Sequence, residues 1–288
     1  MSSDGAVRTF SMEPGGEERQ TWISCPICGS DRYRPHWLID SYRFVKCRSC
    51  GHIYQNPQPV FDDLQGRYAE EYFHYERENE EQFFDLMLKG LEDIDFSSLT
   101  SAMEGPGRFL DVGCATGRLL AHLRESRWDV AGVEICEPAA RFAREERALP
   151  VFIGQLEDSD FDLESFDAIH FSHVIEHVPD PRLFLARVYE LLAPGGFTVI
   201  VTPDVAGLQA RLFGRRWRSA IADHLNLFSY RSLSRLLSKT DFHIVRKVSW
   251  GGLAAGTAPP SIKRLADRAV KRLNLGDVML VLAQKPRT

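Results

Sequence analysis

The chain has 288 residues, 44% hydrophobic and 26% charged, enough to bury one core of ordinary size and leave length for a small accessory module. A formal net charge of −5 and a pI near 6.0 give no global attraction to nucleic acid or anionic lipid, so any such contact has to be local. The apolar runs are strand-sized and residues 1–20 are polar, without a signal peptide or membrane span, which points to a cytoplasmic protein with a disordered tail over 1–20.

Four of the six cysteines form two pairs, Cys25-Pro26-Ile27-Cys28 and Cys47-Arg48-Ser49-Cys50, separated by 18 residues. That spacing predicts a zinc ribbon over 21–58. Each two-residue gap lets both thiolates reach one tetrahedral ion, and Gly29 and Gly51 permit the turns. Cys25, Cys28, Cys47 and Cys50 would close the coordination shell of a structural Zn2+, leaving no position for chemistry. Disulfides are the competing reading, and nothing marks the chain as exported. His52, just after the second pair, is expected at the surface as a satisfied histidine.

Asn56-Pro57-Gln58-Pro59 reads as a stiff linker, and 59–104, acidic and rich in aromatics, as a bridge of one or two helices. From 105 to 288 short apolar runs alternate with helical stretches. Strands are expected at 108–112, 129–134, 151–153, 166–172, 197–202, 242–249 and 278–283, and helices at 117–126, 138–147, 181–192 and 231–238. This order predicts an α/β fold, a mostly parallel sheet with helices on both faces. Glu137 and Asp180, each before a proline, are expected to cap their helices, and Ala193-Pro194-Gly195-Gly196 to stop one.

The first strand of this part runs into Gly113-Cys114-Ala115-Thr116-Gly117, with a helix to follow. Small residues there let a ligand approach the backbone at the carboxyl end of a strand. A dinucleotide fingerprint needs glycines where Ala115 and Arg118 stand, so the loop is a poor pyrophosphate cradle. At this point the sequence resembles the class I S-adenosylmethionine-dependent methyltransferases, in their small-molecule subgroup. Besides Asp111 before Gly113, the resemblance rests on four later matches in order. These are Glu134 at the end of the second strand, 166–169 followed by 172–178, Leu191-Leu192-Ala193-Pro194-Gly195-Gly196, and His224-Leu225-Asn226-Leu227-Phe228-Ser229.

The resemblance implies a Rossmann-like, seven-stranded domain with S-adenosyl-L-methionine as cofactor. Carried over by position, Asp111 lies near the methionine amino group, Gly113 and Gly117 pack under the cofactor, and Glu134 holds the ribose hydroxyls. Gln155 stands where many relatives have an aspartate beside the adenine, and its amide offers donor and acceptor atoms to that edge. Cys114, Ala115, Ile135, Leu156, Ser172 and His173 line the rest of the pocket, Cys114 and Cys136 as small packing residues.

His173, Glu176 and His177 spell the order of inverted zinc peptidases, but those need one continuous helix, and Pro179 and Pro181 break the chain here. Some metal-dependent methyltransferases use acids and a histidine at this place with a later histidine. His173 replaces one such acid, which weighs against a catalytic metal. Methyl transfer from a sulfonium needs alignment of the nucleophile and removal of its proton. His177 and His224 are the candidate bases and Glu176 their orienting partner, with ordinary hydrogen-bonded loop histidines as the open alternative.

Charge is uneven along the chain. Residues 61–104 are acidic, while 205–247 carry Arg211, Arg215, Arg216, Arg218, Arg231, Arg235, Lys239, Arg246 and Lys247 against Asp223 and Asp241. Two solvated faces account for this, and the sharper reading is a site for a phosphate-bearing acceptor. The 203–228 insertion is expected to form a lid, and 261–273 either a crossover helix or a membrane-surface helix. The reading adopted is methyl transfer to a small molecule or a glycan- or lipid-linked biosynthetic intermediate. Two others stay open. One is an RNA methyltransferase gripping nucleic acid through Arg32, Arg34, Arg43, Lys46 and Arg48 with Tyr33, Trp37 and Tyr42 of the ribbon. The other is a silent scaffold with a docking ribbon.

Overall fold

In the computed structural model, residues 19–60, 70–100, 106–251, 270–271 and 273–287 are described. The expected tail falls outside them up to residue 18, as does most of the 261–273 stretch. In chain order the elements are β1 (Gln20–Thr21), β2 (Tyr33–Ile39), β3 (Tyr42–Cys47), β4 (Ile53–Gln55), β5 (Gln58–Pro59), α1 (Glu70–Asp93), α2 (Phe96–Thr100), β6 (Arg108–Val112), α3 (Arg118–Glu125), β7 (Asp129–Glu134), α4 (Glu137–Arg147), β8 (Val151–Ile153), β9 (Phe166–Ser172), α5 (Pro181–Leu191), β10 (Leu192–Pro203), α6 (Leu208–Phe213), β11 (Asn226–Leu227), α7 (Tyr230–Lys239), β12 (His243–Trp250) and β13 (Val278–Gln284).

The seven strands expected from the alternating pattern form one sheet in the order β12-β13-β10-β9-β6-β7-β8. β13 runs antiparallel to both neighbours and the remaining pairs are parallel. Alternate residues feed two cores. Leu110, Val112, Ile169 and Phe171 pack on one face with Phe184 and Val188 of α5 and Leu233 and Leu236 of α7. Phe109, Ala168, Val199 and Val201 pack on the other with Phe84 of α1, Phe96 of α2 and Leu119, Leu120 and Leu123 of α3. Cover on both faces explains why these strands read as apolar runs. Successive strands leave β6 in one direction and β9 in the other, so the carboxyl ends of these two neighbours form the crevice where open α/β sheets bind ligands.

Asp180 caps α5 as expected, its Oδ1 accepting from the N–H groups of Arg182 (2.9 Å) and Leu183 (3.1 Å). Asp180→Ala is expected to cost about 1 kcal/mol, read as a lower denaturant midpoint at unchanged slope; an unmoved midpoint would show the cap to be redundant. Glu137 differs from expectation. Cys136 is the N-cap, without a side-chain cap bond, and Glu137 sits in the first turn and pairs with Arg141 at 2.5 Å. Ala193-Pro194-Gly195-Gly196 ends the helix, but the chain is already in β10, as an irregularity in its register between Leu192 and Phe197.

The ribbon is less separate than its sequence suggests. β2, β3 and β4 form an antiparallel sheet to which β11 adds a fourth strand, Asn226 opposite Tyr54 and Leu227 opposite Ile53. Gln20–Thr21 pairs with Gln58–Pro59, which places 19–21 in the fold and shortens the expected tail. His52, expected at the surface, is buried, 1% exposed, with its Nε2 3.1 Å from Asn226 Oδ1. The expected lid is anchored too. Ala210, Trp217 and Ala220 share a buried cluster with Ile39, Phe44 and Ile53 of the ribbon, and Trp217 Nε1 donates to Asp277. Its tip, Arg211 to Arg216, projects, with Leu212 and Phe213 exposed. Among the described residues no helix is long and apolar enough to cross a membrane.

Candidate active site

The loop after β6 is held by backbone bonds, the N–H groups of Gly113 and Cys114 both donating to Val133 O (2.8 and 3.1 Å). Gly113 and Gly117 adopt φ of +73° and +75°, and an added Cβ would come within 2.6 Å of Val174 and 2.4 Å of Leu149. Both the turn and the close packing therefore require glycine. Ala115 takes φ of +46° at the loop crest. Its N–H donates to Glu134 Oε2 (2.8 Å), while Glu134 Oε1 accepts from the Cys136 N–H (2.7 Å). Burial raises the Glu134 carboxyl above its ordinary pKa, opposed by the N–H groups of Cys136, Ala115 and Ile135. A carboxylate has about four lone-pair positions, and these bonds use only some of them.

The remaining sequence-picked residues border the same edge. Asp111 is buried and bonded to His170 Nδ1 of the adjacent strand at 2.7 Å, a partner the motif did not reveal. Cys114 is buried, and desolvation lifts its thiol well above the ordinary value, which suits a packing role. Gln155 follows β8 and turns its Nε2 toward Asp158 Oδ2 at 3.4 Å, with Leu156 buried beside it. Ser172 ends β9, and His173 leaves it at φ of +55°.

Helix α1, read as a bridge, lies across this edge. Glu80 accepts from Thr116 Oγ1 in the glycine loop (2.5 Å) and from Arg147 Nη2 of α4 (2.8 Å), and Phe73 meets Phe142 with ring centroids 5.9 Å apart. Burial and then the Glu134 charge push the Glu76 carboxyl up to about 7, and His173 acts on it in the opposite sense. Glu76 lies one helical turn from both Phe73 and Glu80 on α1, within electrostatic reach of Glu134 and His173. Its only sequence signal was a helical turn in an acidic stretch, which reads equally well as a solvated face.

The histidines and Glu176 come together. His177 Nδ1 lies 2.9 Å from Asp223 O, and His224 Nδ1 lies 2.8 Å from Ser219 O. A carbonyl only accepts, so both rings carry their proton on Nδ1, and when neutral each keeps its lone pair on Nε2. The rings stand edge to face, centroids 4.7 Å apart. Burial, then the His177 charge, lowers the His224 pKa to about 3, so its ring is neutral across the physiological range. Glu176 is buried and accepts from His173 Nδ1 (3.0 Å) and Thr202 Oγ1 (2.9 Å). Burial would raise its pKa, but the hydrogen bond from His173 and the fields of the three histidines hold it near 2. Glu176, His177 and His224 bring ligand-capable atoms within 4.8 Å of one another.

The four ribbon cysteines form a second cluster. Cys25 and Cys50 Sγ are 3.5 Å apart, and Cys28 and Cys47 Sγ 3.6 Å. These separations exclude disulfides, whose sulfurs sit about 2.05 Å apart. They approach the edge of about 3.8 Å that four sulfurs about 2.3 Å from one tetrahedral ion would have, so the cage fits such an ion in size and donor set.

A family profile described as a methyltransferase domain matches residues 77–247, more than half of the chain. The ubiquinone biosynthesis O-methyltransferase of Cereibacter sphaeroides is 34% identical over 100 residues, 33% of this chain and 40% of that protein. The mitochondrial ubiquinone biosynthesis O-methyltransferase of Mus musculus is 32% identical over 128 residues, 39% of this chain and 35% of that protein. The chain thus spans less than half the length of these curated relatives. Among solved structures, a SAM-dependent methyltransferase from Archaeoglobus fulgidus superposes with a TM-score of 0.52 at 20% identity, covering 74% of this chain and 99% of that one. With a seven-stranded sheet of the same fold and the loop at its switch point, the profile match places the chain in the methyltransferase-domain family.

Proposed function

We propose that this chain transfers the methyl group of S-adenosylmethionine to a hydroxyl-bearing small molecule, free or carried on a glycan or lipid, with His224 or His177 as the base. One observation carries the reading: both rings are held with Nδ1 on backbone carbonyls, which leaves Nε2 as the basic nitrogen beside an ionised Glu176. The cofactor supplies the electrophilic methyl group, and the chain's own task is to align the acceptor and take its proton. The curated relatives named for O-methylation support oxygen as the acceptor atom. In this reading 21–58 is a zinc ribbon, 59–104 covers the cofactor, and 105–288 is the methyltransferase domain. Cys25, Cys28, Cys47 and Cys50 hold a structural Zn2+. A phosphate on the acceptor would meet Arg215 and Arg216, exposed at the tip of 203–228, since Arg218 is engaged by Asp277.

Methyl-labelled cofactor offered with phenols, catechols, sugar nucleotides and RNA tests the reading. Turnover is expected with a small molecule, and His224→Asn should cut that rate by at least about a hundredfold while cofactor-product affinity holds. An undiminished rate would remove the base role, and turnover with RNA alone would favour the nucleic-acid alternative.

The mutual approach of Glu176, His177 and His224 favours a second reading, a divalent cation that binds the acceptor oxygen. Histidines that ligate metals commonly donate their other ring N–H to a carbonyl, as these do. Loss of rate on chelation with recovery on adding Mg2+ or Mn2+, at constant ribbon zinc, would select it; a rate indifferent to both would discard it.

A further inference from the structure

We infer that the ribbon is a strut for the acceptor side of the site, with His52 and Gln55 as positioning residues for His177 and His224. This rests on the proposed role of those two histidines and on the cysteine cage holding its ion.

The connection can be followed bond by bond. His52 is tied to the second cysteine knuckle at both backbone ends: its carbonyl accepts from the Cys47 N–H (2.9 Å) and its own N–H points to Cys50 Sγ. Its ring lies parallel to Tyr54, centroids 5.9 Å apart, and tilts onto Phe228 of the methyltransferase domain at 5.1 Å. Asn226 Nδ2 donates to Val178 O (2.8 Å), so Asn226 Oδ1 is the acceptor facing His52 and the His52 proton is on Nε2. The Asn226 N–H donates in turn to Glu176 O (3.0 Å). One residue reached from the ribbon thereby holds the carbonyls on both sides of His177, that of Val178 through its side chain and that of Glu176 through its backbone N–H.

Gln55 grips the other loop. Its N–H donates to Leu225 O (2.8 Å) and its Nε2 to Ala222 O (3.0 Å), which brackets His224 and the Asp223 carbonyl that holds His177 Nδ1. The β4–β11 pairing begins at Asn226, two residues beyond His224. Among the described residues the cofactor loop is held by other bonds, Gly113 and Cys114 to Val133 and Ala115 to Glu134. The two halves of the site are therefore held by different parts of the molecule. Disturbing the ribbon should disorder the histidines and spare the cofactor end.

The test uses the full, zinc-loaded chain with 15N-labelled histidines. Long-range proton–nitrogen correlation spectra report which ring nitrogen of His177 and His224 is protonated, and calorimetry with S-adenosylhomocysteine reports the cofactor end. In wild type both rings should show a single Nδ1–H tautomer. In His52→Ala and, separately, Gln55→Ala that pattern should be lost for one or both rings, with zinc content kept and cofactor-product affinity unchanged within about twofold. His52→Gln, which restores a donor toward Asn226, should recover it, a rescue that mere loss of packing would not give. Unchanged tautomers in a folded His52→Ala chain would overturn the proposal, as would a parallel loss of cofactor-product binding. If His52→Ala sheds its zinc, Gln55→Ala decides alone by the same two readings. Because no acceptor is needed, the coupling can hold even where His224→Asn disproves the base role.

Discussion

Glu134→Ala is expected to lower the affinity for S-adenosylhomocysteine by roughly 10²- to 10⁴-fold. A carboxylate at the end of β7 can accept from both ribose hydroxyls, and hydrogen bonds to a charged group contribute about 1.5–3 kcal/mol each. Two of them amount to about 3–6 kcal/mol, and each 1.4 kcal/mol is tenfold in affinity. The protein already prepares this carboxylate. The N–H groups of Ala115 and Cys136 hold it at 2.8 and 2.7 Å, so little ordering remains when ligand arrives. The same bonds make alanine doubly costly, because two loop donors lose their acceptor as the ribose loses its own. Glu134→Gln keeps the shape but turns an N–H₂ toward one of those donors, and should fall between. Titration calorimetry on variants with unchanged melting checks the ranking. Wild-type affinity in the alanine variant would remove Glu134 from the ribose and weaken every position assigned from the same resemblance.

How far the sequence could be read depends on the distance over which each feature is encoded. The strands from β6 to β10 and the helices between them were legible because apolar runs bounded by helix patterns need only neighbouring residues to be recognised. The glycine loop and Glu134 were legible for the same reason, as strand-end positions of one motif. Asn226 and His52, by contrast, are 174 residues apart in the bond that joins ribbon to domain. No local pattern marks a two-residue strand such as β11, and His52 beside a complete cysteine set looked like a surface residue. Glu76 stayed hidden because its burial and the neighbouring Glu134 charge arise from packing against other elements, while α1 itself carries the composition of a solvated helix. The anchoring of the 203–228 segment was not legible from its arginines. Trp217 and Ala220 turn inward to meet the ribbon, so the charges mark the outside of a packed element.

Cys47→Ser is expected to lose the ribbon's ion and to unfold the ribbon at temperatures the intact chain withstands. Structural zinc sites release on the order of 10–16 kcal/mol of apparent binding free energy in small modules, which is folding free energy where no preformed cage exists. Two effects oppose collapse here, the β4–β11 pairing and the burial of Tyr54 in the same core as Phe228 and Leu233. Two short strands and a few aromatic contacts supply only a few kcal/mol, so the metal term should win. The loss should spread, since Cys25, Ile27, Val45 and Tyr54 are continuous with the core under α7 rather than a satellite of it. Each kcal/mol of net loss corresponds to a fall of about 2–4 °C in melting temperature for a domain of 150–250 residues, so a fall of at least about 10 °C is expected. Zinc per chain by mass spectrometry, melting by calorimetry, and amide exchange at Asn226 and Leu227 together read the outcome. One zinc per chain and an unmoved melting temperature in Cys47→Ser would mean that the cage is not what holds the ribbon. The ribbon would then be carried by its docking on β11, and the direction of support between the two parts would be reversed.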